Sequence, residues 1–371
     1  MHTMMNPLAF ALCFPLLALA APGTPPSLTG SLDRIIASHH APDMPGVAAL
    51  VLQQGKPVLR KGYGMANLEL GVRVTPEHVF RIGSTTKLFT ATAIMLLVDD
   101  GKLALDAPIA RYFPEAPAQW AKVTVEHLLT HTSGIPDASM DSGYWRIGAR
   151  LDHTPEELVA PVRSRPLDFE PGTRFVYNNT GYNLLGLLIE KISGQEFFAF
   201  VDTRIVQPLG LKHTASGSDQ QLIPGLVTGY RAGPKPAWPI ATANFYAAGG
   251  LVSTVDDLAA FMLALQGGKI VSRAGVERMN AGYVLANGKQ TEYGYGEWIR
   301  QVNGKRLVGH GGYIFSFYSQ LEMDIDSGIV VVTLHNGDRF GGDNEKMSKQ
   351  LIMEVQRLVP AASVGASSSK L

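Results

Sequence analysis

The run Arg81-Ile82-Gly83-Ser84-Thr85-Thr86-Lys87 opens the strongest helical pattern in this chain. The apolar residues that follow recur at spacings of three and four, as one face of an α-helix requires: Leu88, Ala91, Met95 and Val98. Gly101 stands where helices commonly end. The pattern predicts a helix from Ser84 to about Asp100, with Ser84 and Lys87 in its first turn.

Ser84 and Lys87 form a Ser-x-x-Lys pair. Because residues three apart share a helix face, the Lys87 amine can reach the Ser84 hydroxyl, and the helix N-terminus adds partial positive charge. A serine hydroxyl is a weak nucleophile that needs an adjacent base, and a lysine desolvated in a cleft has the lowered pKa that suits this role. A serine that only caps a helix, followed by a surface lysine, gives the same pattern. The pair alone therefore leaves both interpretations open.

A second polar motif, Tyr177-Asn178-Asn179, precedes a helix predicted over Gly181–Ser193. Taken alone, it is typical of a helix cap at Asn179 or Thr180, with the tyrosine ring packed in the core. The alternative is that its phenol and amide belong to a catalytic site. The spacing to Ser84 does not decide between the two interpretations without further evidence.

The last third of the chain has the short, alternating patterns of β-strands. Strands are predicted at Tyr293–Gln301, Lys305–Gly309, Tyr318–Asp324 and Ile329–His335, and a closing helix at Asn344–Leu358. A third motif, His310-Gly311-Gly312, directly follows the second of these strands. Glycines there permit a substrate to lie against the strand edge, although the same residues also suit a turn that ends a strand.

Early strands complete the organisation of the chain. Val47–Gln53 and Pro57–Tyr63 flank Gln54-Gly55-Lys56 and predict a hairpin. Early and late strands with helices between them predict an α/β (α+β) fold, an antiparallel sheet flanked by helices, built from residues about 28–105 and 246–358. Residues about 106–245, with a helix over Thr124–Thr130, are predicted to form a helical lobe, and a cleft is expected between the two lobes. Residues 359–371 are predicted to be a disordered tail.

Composition excludes several classes of function. The 371 residues include 32 Lys plus Arg and 32 Asp plus Glu, for a formal net charge of zero. Nucleic-acid-binding proteins usually carry a basic excess or stripe, so no nucleic-acid partner is expected. Cys13 is the single cysteine, which excludes an intramolecular disulfide and a cysteine-based metal centre. His127 and His131 have the spacing of two zinc ligands, but His127 is not followed by the Glu of His-Glu-x-x-His, so no metal is expected.

The N-terminal residues resemble a targeting segment rather than part of the fold. Residues 7–21 are apolar, and Ala18-Leu19-Ala20 is a small-x-small cleavage pattern. This predicts a signal peptide over residues 1–20 and a periplasmic or secreted mature protein with no stable membrane span. No Lys or Arg precedes the apolar run, so an uncleaved anchor is the alternative.

Other catalytic patterns are absent from the sequence or have a simpler explanation. Adjacent acidic residues at Asp99-Asp100, Glu156-Glu157 and Asp256-Asp257 point in different directions on a helix and are interpreted as solvated surface rather than a glycosidase pair. The sequence contains no Gly-x-Ser-x-Gly elbow. It also contains no nucleotide-binding fingerprint.

In this order and spacing, the three motifs resemble those of the serine β-lactamase and penicillin-binding protein family. The resemblance is to the branch of class C β-lactamases, D-alanyl-D-alanine carboxypeptidases and related esterases and D-amino-acid amidases. It extends over residues about 30 to 340 and includes these landmarks: Phe80-Arg81-Ile82-Gly83-Ser84, Leu128-Leu129-Thr130-His131-Thr132-Ser133-Gly134-Ile135, Glu170-Pro171-Gly172, Tyr182-Asn183-Leu184-Leu185-Gly186, Pro208-Leu209-Gly210-Leu211 and Ala248-Gly249-Gly250-Leu251. It implies a β-lactamase/transpeptidase-like fold, a small-molecule or short peptide substrate, and no cofactor.

The resemblance also implies roles for the matching residues. Ser84 is expected to be the acylated nucleophile. Lys87 and Tyr177 are expected to share proton transfer, and which of them is the base stays open. Asn179 would hydrogen-bond the lysine or the amide of the substrate. The backbone N–H groups of Ser84 and Tyr313 would form the oxyanion hole, where each donor typically stabilises the transition state by about 3–4 kcal/mol.

One motif departs from the common family pattern. Many relatives have Lys-Thr-Gly where this chain has His310-Gly311-Gly312, so a permanent cation is replaced by an imidazole whose reference pKa is near 6.5. We expect His310 to face the cleft and to make recognition of a substrate carboxylate weak and pH-dependent. This favours an esterase, amidase or D-peptidase acting through an acyl-enzyme. A class C-like β-lactamase is the alternative, and a catalytically inactive binding or scaffold protein is the alternative from another class.

Overall fold

The computed structural model describes residues 27–141, 143, 148–338 and 343–359. The predicted signal peptide and residues 360–371 of the predicted tail lie outside these ranges. The α-helices are α1 (Leu28–Ala37), α2 (Thr86–Asp99), α3 (Val125–Leu129), α4 (Pro155–Val159), α5 (Asn179–Ser193), α6 (Phe197–Val201), α7 (Gln207–Leu209), α8 (Tyr246–Gly249), α9 (Val255–Gln266), α10 (Arg273–Met279) and α11 (Asp343–Leu358). The strands are β1 (Val47–Gln53), β2 (Lys56–Tyr63), β3 (Met65–Asn67), β4 (Val72–Arg73), β5 (Phe80–Arg81), β6 (Ala215–Ser216), β7 (Tyr230–Arg231), β8 (Lys235–Pro236), β9 (Leu251–Ser253), β10 (Trp298–Val302), β11 (Lys305–Ile314), β12 (Phe317–Asp324) and β13 (Ile329–His335).

The main sheet has six antiparallel strands in the order β10-β11-β12-β13-β1-β2. Early and late parts of the chain meet where β1 pairs with β13, with Val47 opposite His335. Helices cover both faces of the sheet, α1 and α11 on one face and α2 and α9 on the other. Every residue of β13 is therefore buried, which explains why this strand is an unbroken apolar run rather than an alternating one. The mixed fold with an antiparallel sheet, predicted from the sequence, is confirmed.

Most of the predicted elements occur close to their predicted bounds. The hairpin of β1 and β2 is confirmed, and its two-residue loop, Gln54-Gly55, has the positive φ angles of 47° and 74° that a tight hairpin turn requires. The helices predicted at Gly181–Ser193 and Asn344–Leu358 correspond to α5 and α11. The helix predicted at Thr124–Thr130 is the shorter α3, with Thr124 as its N-cap.

The start of the central helix differs from the prediction. Gly83–Thr85 forms a 3₁₀ turn, and α2 begins only at Thr86. Gly83 has a φ of 49° and the Thr85 N–H donates to the Ile82 carbonyl at 3.2 Å, so the backbone is too tightly wound there for an α-helix. Ser84 therefore lies in this turn, immediately before α2. Twelve of the fourteen residues of α2 are buried, because elements from both parts of the fold surround this helix.

Two late strands also have different bounds. The strand predicted at Tyr293–Gln301 begins only at Trp298, because Gly294 N–H donates to the Glu297 carbonyl at 2.9 Å and closes a turn before it. Conversely, β11 continues through Ile314 instead of ending at Gly309. The third motif therefore lies within a strand, and the interpretation of it as a turn that ends the strand is wrong.

The region predicted as a helical lobe, residues about 106–245, contains α3 to α7 together with β6 to β8. It is joined to the rest of the fold by a small sheet in which β9 lies between β5 and β6. Among the described residues, none of the helices combines the length and the hydropathy that crossing a bilayer demands.

One carboxyl group in the core has no polar partner. Glu297 is fully buried, and neither of its carboxyl oxygens makes a hydrogen bond within the described part of the chain. Burial raises its pKa to about 8, with a small opposing effect from Arg306. An acid whose pKa is higher in the folded than in the unfolded chain stabilises the fold below its unfolded pKa and loses that contribution as pH rises towards the folded value.

We therefore expect the native protein to lose stability between pH 5 and pH 8 relative to a Glu297→Gln variant. Each unit of pKa difference corresponds to about 1.4 kcal/mol. The difference in the free energy of unfolding between the native protein and the variant should therefore change by about 2–4 kcal/mol over this range. Chemical denaturation at each pH measures it. Glu292→Gln, at an exposed neighbouring acid, is the control, and parallel stability profiles for all three proteins would contradict the prediction.

Candidate active site

Ser84 and Lys87 meet at the start of α2, as their spacing predicts. The Lys87 Nζ donates a hydrogen bond of 3.3 Å to the Ser84 Oγ. Ser84 is half-buried, whereas Lys87 is 0% exposed. The lysine is therefore not the surface side chain that the alternative interpretation required.

Two further acceptors and two aromatic rings surround the Lys87 amine. It donates to the Asn179 Oδ1 at 2.9 Å and to the Ala248 carbonyl at 2.8 Å. The ring centroids of Tyr177 and Tyr182 lie 4.8 Å and 5.3 Å from Nζ. Burial lowers the pKa of Lys87 from 10.5 to about 7, and the negative charge of Asp137 partly opposes this shift. A large fraction of the amine is consequently neutral at physiological pH and able to accept a proton.

Tyr177 stands next to this pair with its hydroxyl buried and without a hydrogen bond of ordinary geometry among the described residues. Burial raises the pKa of the phenol, an effect that Ser84 opposes and Asp137 reinforces. The phenol therefore keeps its proton at neutral pH. Of the two groups whose roles the sequence left open, Lys87 is the one whose pKa suits a proton acceptor.

Asn179 is held at the N-terminus of α5. The N-cap of this helix is Asn178, not Asn179 or Thr180, since its Oδ1 accepts from the Gly181 N–H at 2.6 Å. Asn179 is thereby left with its amide oxygen directed at Lys87 and its Nδ2 donating to the Ser139 Oγ at 3.2 Å. The second motif therefore does contain a helix cap, but the prediction of Asn179 or Thr180 as that cap is wrong: Asn178 caps the helix and Asn179 reaches the site.

Asp137 is a residue of the site that the sequence analysis missed. It lies in the segment between α3 and α4, and its Oδ2 accepts from the Asn179 backbone N–H at 2.8 Å and from Asn179 Nδ2 at 3.4 Å. Its charge also favours the protonated form of Lys87. A single acid followed by Ala138 and Ser139 carries no recognisable motif, so only the fold brings it to the lysine.

The end of β11 packs directly against the turn that carries Ser84. A Cβ placed on Gly312 would lie 2.0 Å from the Ile82 carbonyl oxygen and 2.9 Å from the Ser84 nitrogen. A Cβ placed on Gly83 would lie 3.0 Å from the Tyr313 nitrogen. Glycine at both positions therefore allows the backbone amides of Ser84 and Tyr313 to approach each other, as a shared oxyanion site requires.

His310 does not occupy the position expected for it. The side chain is 2% exposed, its Nε2 lies 3.0 Å from the Tyr293 hydroxyl, and its Nδ1 contacts the Gly311 carbonyl. Burial, together with the charge of Lys87, lowers its pKa to about 3. The expectation that His310 faces the cleft and becomes charged near pH 6 is wrong, because the imidazole packs beneath the site and stays neutral.

The two histidines with zinc-like spacing serve structural purposes. His127 closes a capping box with Thr124 at the start of α3, and its Nε2 lies 3.1 Å from the Tyr283 hydroxyl. His131 is buried, and its Nδ1 accepts from the Asn178 N–H at 3.0 Å, which fixes the second motif. Over the described ranges of the chain, no group of three or more His, Cys, Asp or Glu is arranged to hold a metal ion.

The fold therefore brings Ser84, Lys87, Tyr177 and Asn179 together, with the backbone of Tyr313 beside them. A hydroxyl next to a buried, partly neutral amine is the arrangement of an activated nucleophile. Backbone amides from a helix start and a strand end are suited to developing negative charge on a carbonyl oxygen. The chemistry available at this site is acyl transfer through serine.

Comparisons with known proteins show which family this chain resembles. The family model described as Beta-lactamase matches residues 32–352. The putative penicillin-binding protein PbpX of Bacillus subtilis is 27% identical over 313 residues, covering 82% of this chain and 75% of that protein. Esterase EstB of Burkholderia gladioli is 35% identical over 187 residues, covering 45% of this chain and 46% of the esterase.

A solved structure resembles most of the chain. The D-amino acid amidase of Ochrobactrum anthropi SV3, complexed with L-phenylalanine amide, matches with a TM-score of 0.77 and 28% sequence identity. The match covers 89% of this chain and 99% of the amidase. Since the family model also spans most of the sequence, the chain belongs to the beta-lactamase family of serine hydrolases.

Proposed function

We propose that this protein is an exported serine hydrolase that cleaves an ester or amide through an acyl-enzyme on Ser84. The observation that carries the proposal is the 3.3 Å contact between the Ser84 hydroxyl and a Lys87 amine whose pKa burial lowers to about 7. The apolar leader before residue 21 supports export to the periplasm or the medium.

Acylation begins when neutral Lys87 accepts the Ser84 proton while Oγ attacks the carbonyl carbon. The amides of Ser84 and Tyr313 stabilise the negative charge that develops on the carbonyl oxygen. Lys87 now carries an extra proton close to the protonated phenol of Tyr177, so a proton can pass through these two groups to the leaving alcohol or amine. Asn179 holds the lysine amine in place throughout this step.

Deacylation repeats this proton transfer, with water as the nucleophile and the Ser84 oxygen as the leaving group. Once the leaving group has departed, Lys87 is neutral again and can accept a proton from a water that attacks the acyl-enzyme. The same backbone amides stabilise the second tetrahedral intermediate. Ser84 then recovers its proton and the acid product leaves.

The neutral His310 bears on the substrate class. A permanent cation at the third motif would stabilise a substrate carboxylate, whereas a buried imidazole with a pKa of about 3 supplies no charge there. This favours uncharged esters and amides, in the manner of an esterase or amidase, over the anionic substrates of a class C-like β-lactamase. The esterase and the amidase among the similar proteins support the same choice.

The first test of the proposed function concerns acylation, and it distinguishes a hydrolase from an inactive scaffold. A fluorophosphonate probe should add to Ser84 alone, because this hydroxyl is the one in contact with the buried amine. Intact-mass analysis should show a single adduct, and peptide mapping should place it on Ser84. Ser84→Ala should lose the adduct, whereas Ser139→Ala, at another serine beside the site, should keep it. An adduct that persists in Ser84→Ala would contradict the assignment.

The second prediction concerns the pH dependence of kcat/KM. For an uncharged ester, kcat/KM should rise with pH through an apparent pKa near 7, since Lys87 must be neutral to accept the proton. Asp137→Asn removes the charge that favours protonated Lys87, so the rising limb should move to lower pH, by about 0.5–1 unit. Asp141→Asn, at an exposed acid nearby, serves as the matched control. A profile that moves equally in both variants, or in neither, argues against Lys87 as the base.

The third prediction follows from the neutral imidazole. Between pH 7.5 and pH 6, the ratio of kcat/KM for a carboxylate-bearing cephalosporin to that for a neutral ester should stay constant within about twofold. The ratio cancels the titration of Lys87, which affects both substrates, and His310 gains no charge in this range. Steady-state kinetics at four or more pH values measure it. A tenfold rise in the ratio at pH 6 would show that a histidine near the substrate becomes charged.

A further inference from the structure

A cavity of about 290 Å³ lies at the end of β11, around Ile314, and is not used by the proposed mechanism. Its walls are mainly apolar and aromatic: Leu226, Val227, Pro236, Ala237, Trp238, Pro239, Ile240, Ile314, Phe315 and Phe317. Small and polar residues complete the lining: Arg81, Asp219, Thr228, Gly229 and Thr242. This volume is close to the lower limit of small-molecule sites in proteins, which is about 300 Å³.

The position of this cavity relative to Ser84 follows from β11. His310, at one end of the motif, has its ring 6.0 Å from the Tyr177 ring, and Gly312 packs on the Ser84 turn. Ile314, four residues beyond His310, lines the cavity. A strand rises about 3.3 Å per residue, so Ile314 lies roughly 13 Å along β11 from His310, the residue that stands next to Tyr177. Ser84 is therefore between Tyr177 and the cavity.

An aromatic pair lies between the Ser84 turn and the cavity. Phe245 and Phe315 meet edge to face, with their centroids 6.2 Å apart. Phe245 also packs on Gly249, because a Cβ added there would lie 3.3 Å from the Phe245 Cβ and 3.4 Å from the Gly83 carbonyl carbon. The wall that leads from Ser84 into the cavity is thus made of phenyl rings.

The polar groups of the lining are already paired. Arg81 donates to the Gly217 carbonyl and to the Asp219 Oδ1, both at 2.6 Å. The other oxygen of Asp219 accepts from the Thr242 N–H and hydroxyl. Because this guanidinium and this carboxylate neutralise each other, they give the cavity little attraction for a charged group.

Trp238 provides a flat surface at the mouth of the cavity. Its side chain is 49% exposed. The Arg231 guanidinium lies 3.8 Å from the ring centroid and the Arg150 guanidinium lies 5.9 Å from it. Cations over an indole face stabilise its position, so the ring is held in place before any ligand binds.

We propose that this cavity binds the acyl group of the substrate and selects an uncharged aromatic one, such as a phenylacetyl group. The inference rests on the proposed function and adds the substrate class to it. In the proposed mechanism the leaving group takes its proton from Lys87 and Tyr177, so it must lie on their side of Ser84. The acyl chain extends from the carbonyl carbon in the opposite direction, towards Phe315 and the cavity. The aromatic walls suit an aryl ring there, and the Arg81–Asp219 pair adds no net charge to the lining.

The kinetic test compares p-nitrophenyl phenylacetate with p-nitrophenyl acetate, which share one leaving group. Trp238→Ala should lower the ratio of kcat/KM for phenylacetate to kcat/KM for acetate by about tenfold, the size that loss of part of an apolar pocket produces. Leu70→Ala, at a leucine that is 77% exposed and outside the cavity, should leave the ratio unchanged. If Trp238→Ala instead alters the ratio between two leaving groups on one acetyl ester, the cavity holds the leaving group and the proposal fails.

A binding test works without turnover. Saturation-transfer NMR should detect phenylacetamide bound to the Ser84→Ala variant, and a titration gives its Kd. Adding Trp238→Ala should weaken this binding about tenfold, whereas adding Leu70→Ala should not change it. Equal binding with and without Trp238 overturns the cavity assignment even if Ser84 is acylated. If Ser84 is not acylated, the proposed hydrolase function fails, and the binding result still decides the role of the cavity.

Discussion

Lys87 holds its amine where solvent does not reach, and an ammonium in such a place is unfavourable unless hydrogen-bond acceptors surround it. Three acceptors do so, from the Ser84 turn, from the start of α5 and from the end of α8. Each of these segments must be placed to within a few tenths of an ångström for the contacts to form. The remainder of the fold can be understood as the scaffold that brings these segments to one point and keeps water away from it.

The scaffold achieves this by surrounding all of α2 except its last two residues. The sheet, built from both ends of the chain, packs on one side of this helix, and the helices of residues 106–245 pack on the other. Glycines at positions 83 and 312 then let β11 approach the Ser84 turn more closely than any side chain would permit. The close approach places backbone amides from two elements side by side, so the same packing that buries the lysine also prepares the site for a carbonyl oxygen.

The sequence predicted the residues of this arrangement better than their surroundings. Spacing alone placed Ser84 beside Lys87, and alternation and turn residues located the hairpin and most of the late strands. The resemblance to a known family was needed to connect Tyr177 and Asn179 to that pair. The orientation of His310 was not predictable, because it depends on a hydroxyl from Tyr293, seventeen residues earlier, and on the extension of β11 beyond Gly309. Asp137 was missed because its contacts exist only after α5 packs beside it.

The surroundings that the sequence did not predict also determine the electrostatics of the site. The pKa values of His131 and His310 are lowered and that of Tyr177 is raised, in each case chiefly by burial, so all three groups are neutral near pH 7. Two of these shifts are reinforced by the charge of Lys87 itself, since a second cation beside an ammonium is unfavourable. A lysine at position 310 would stand beside the same ammonium, and its repulsion would lower the pKa of Lys87 further. The neutral third motif therefore adds no second cation beside Lys87 and supplies no charge that would attract an anion.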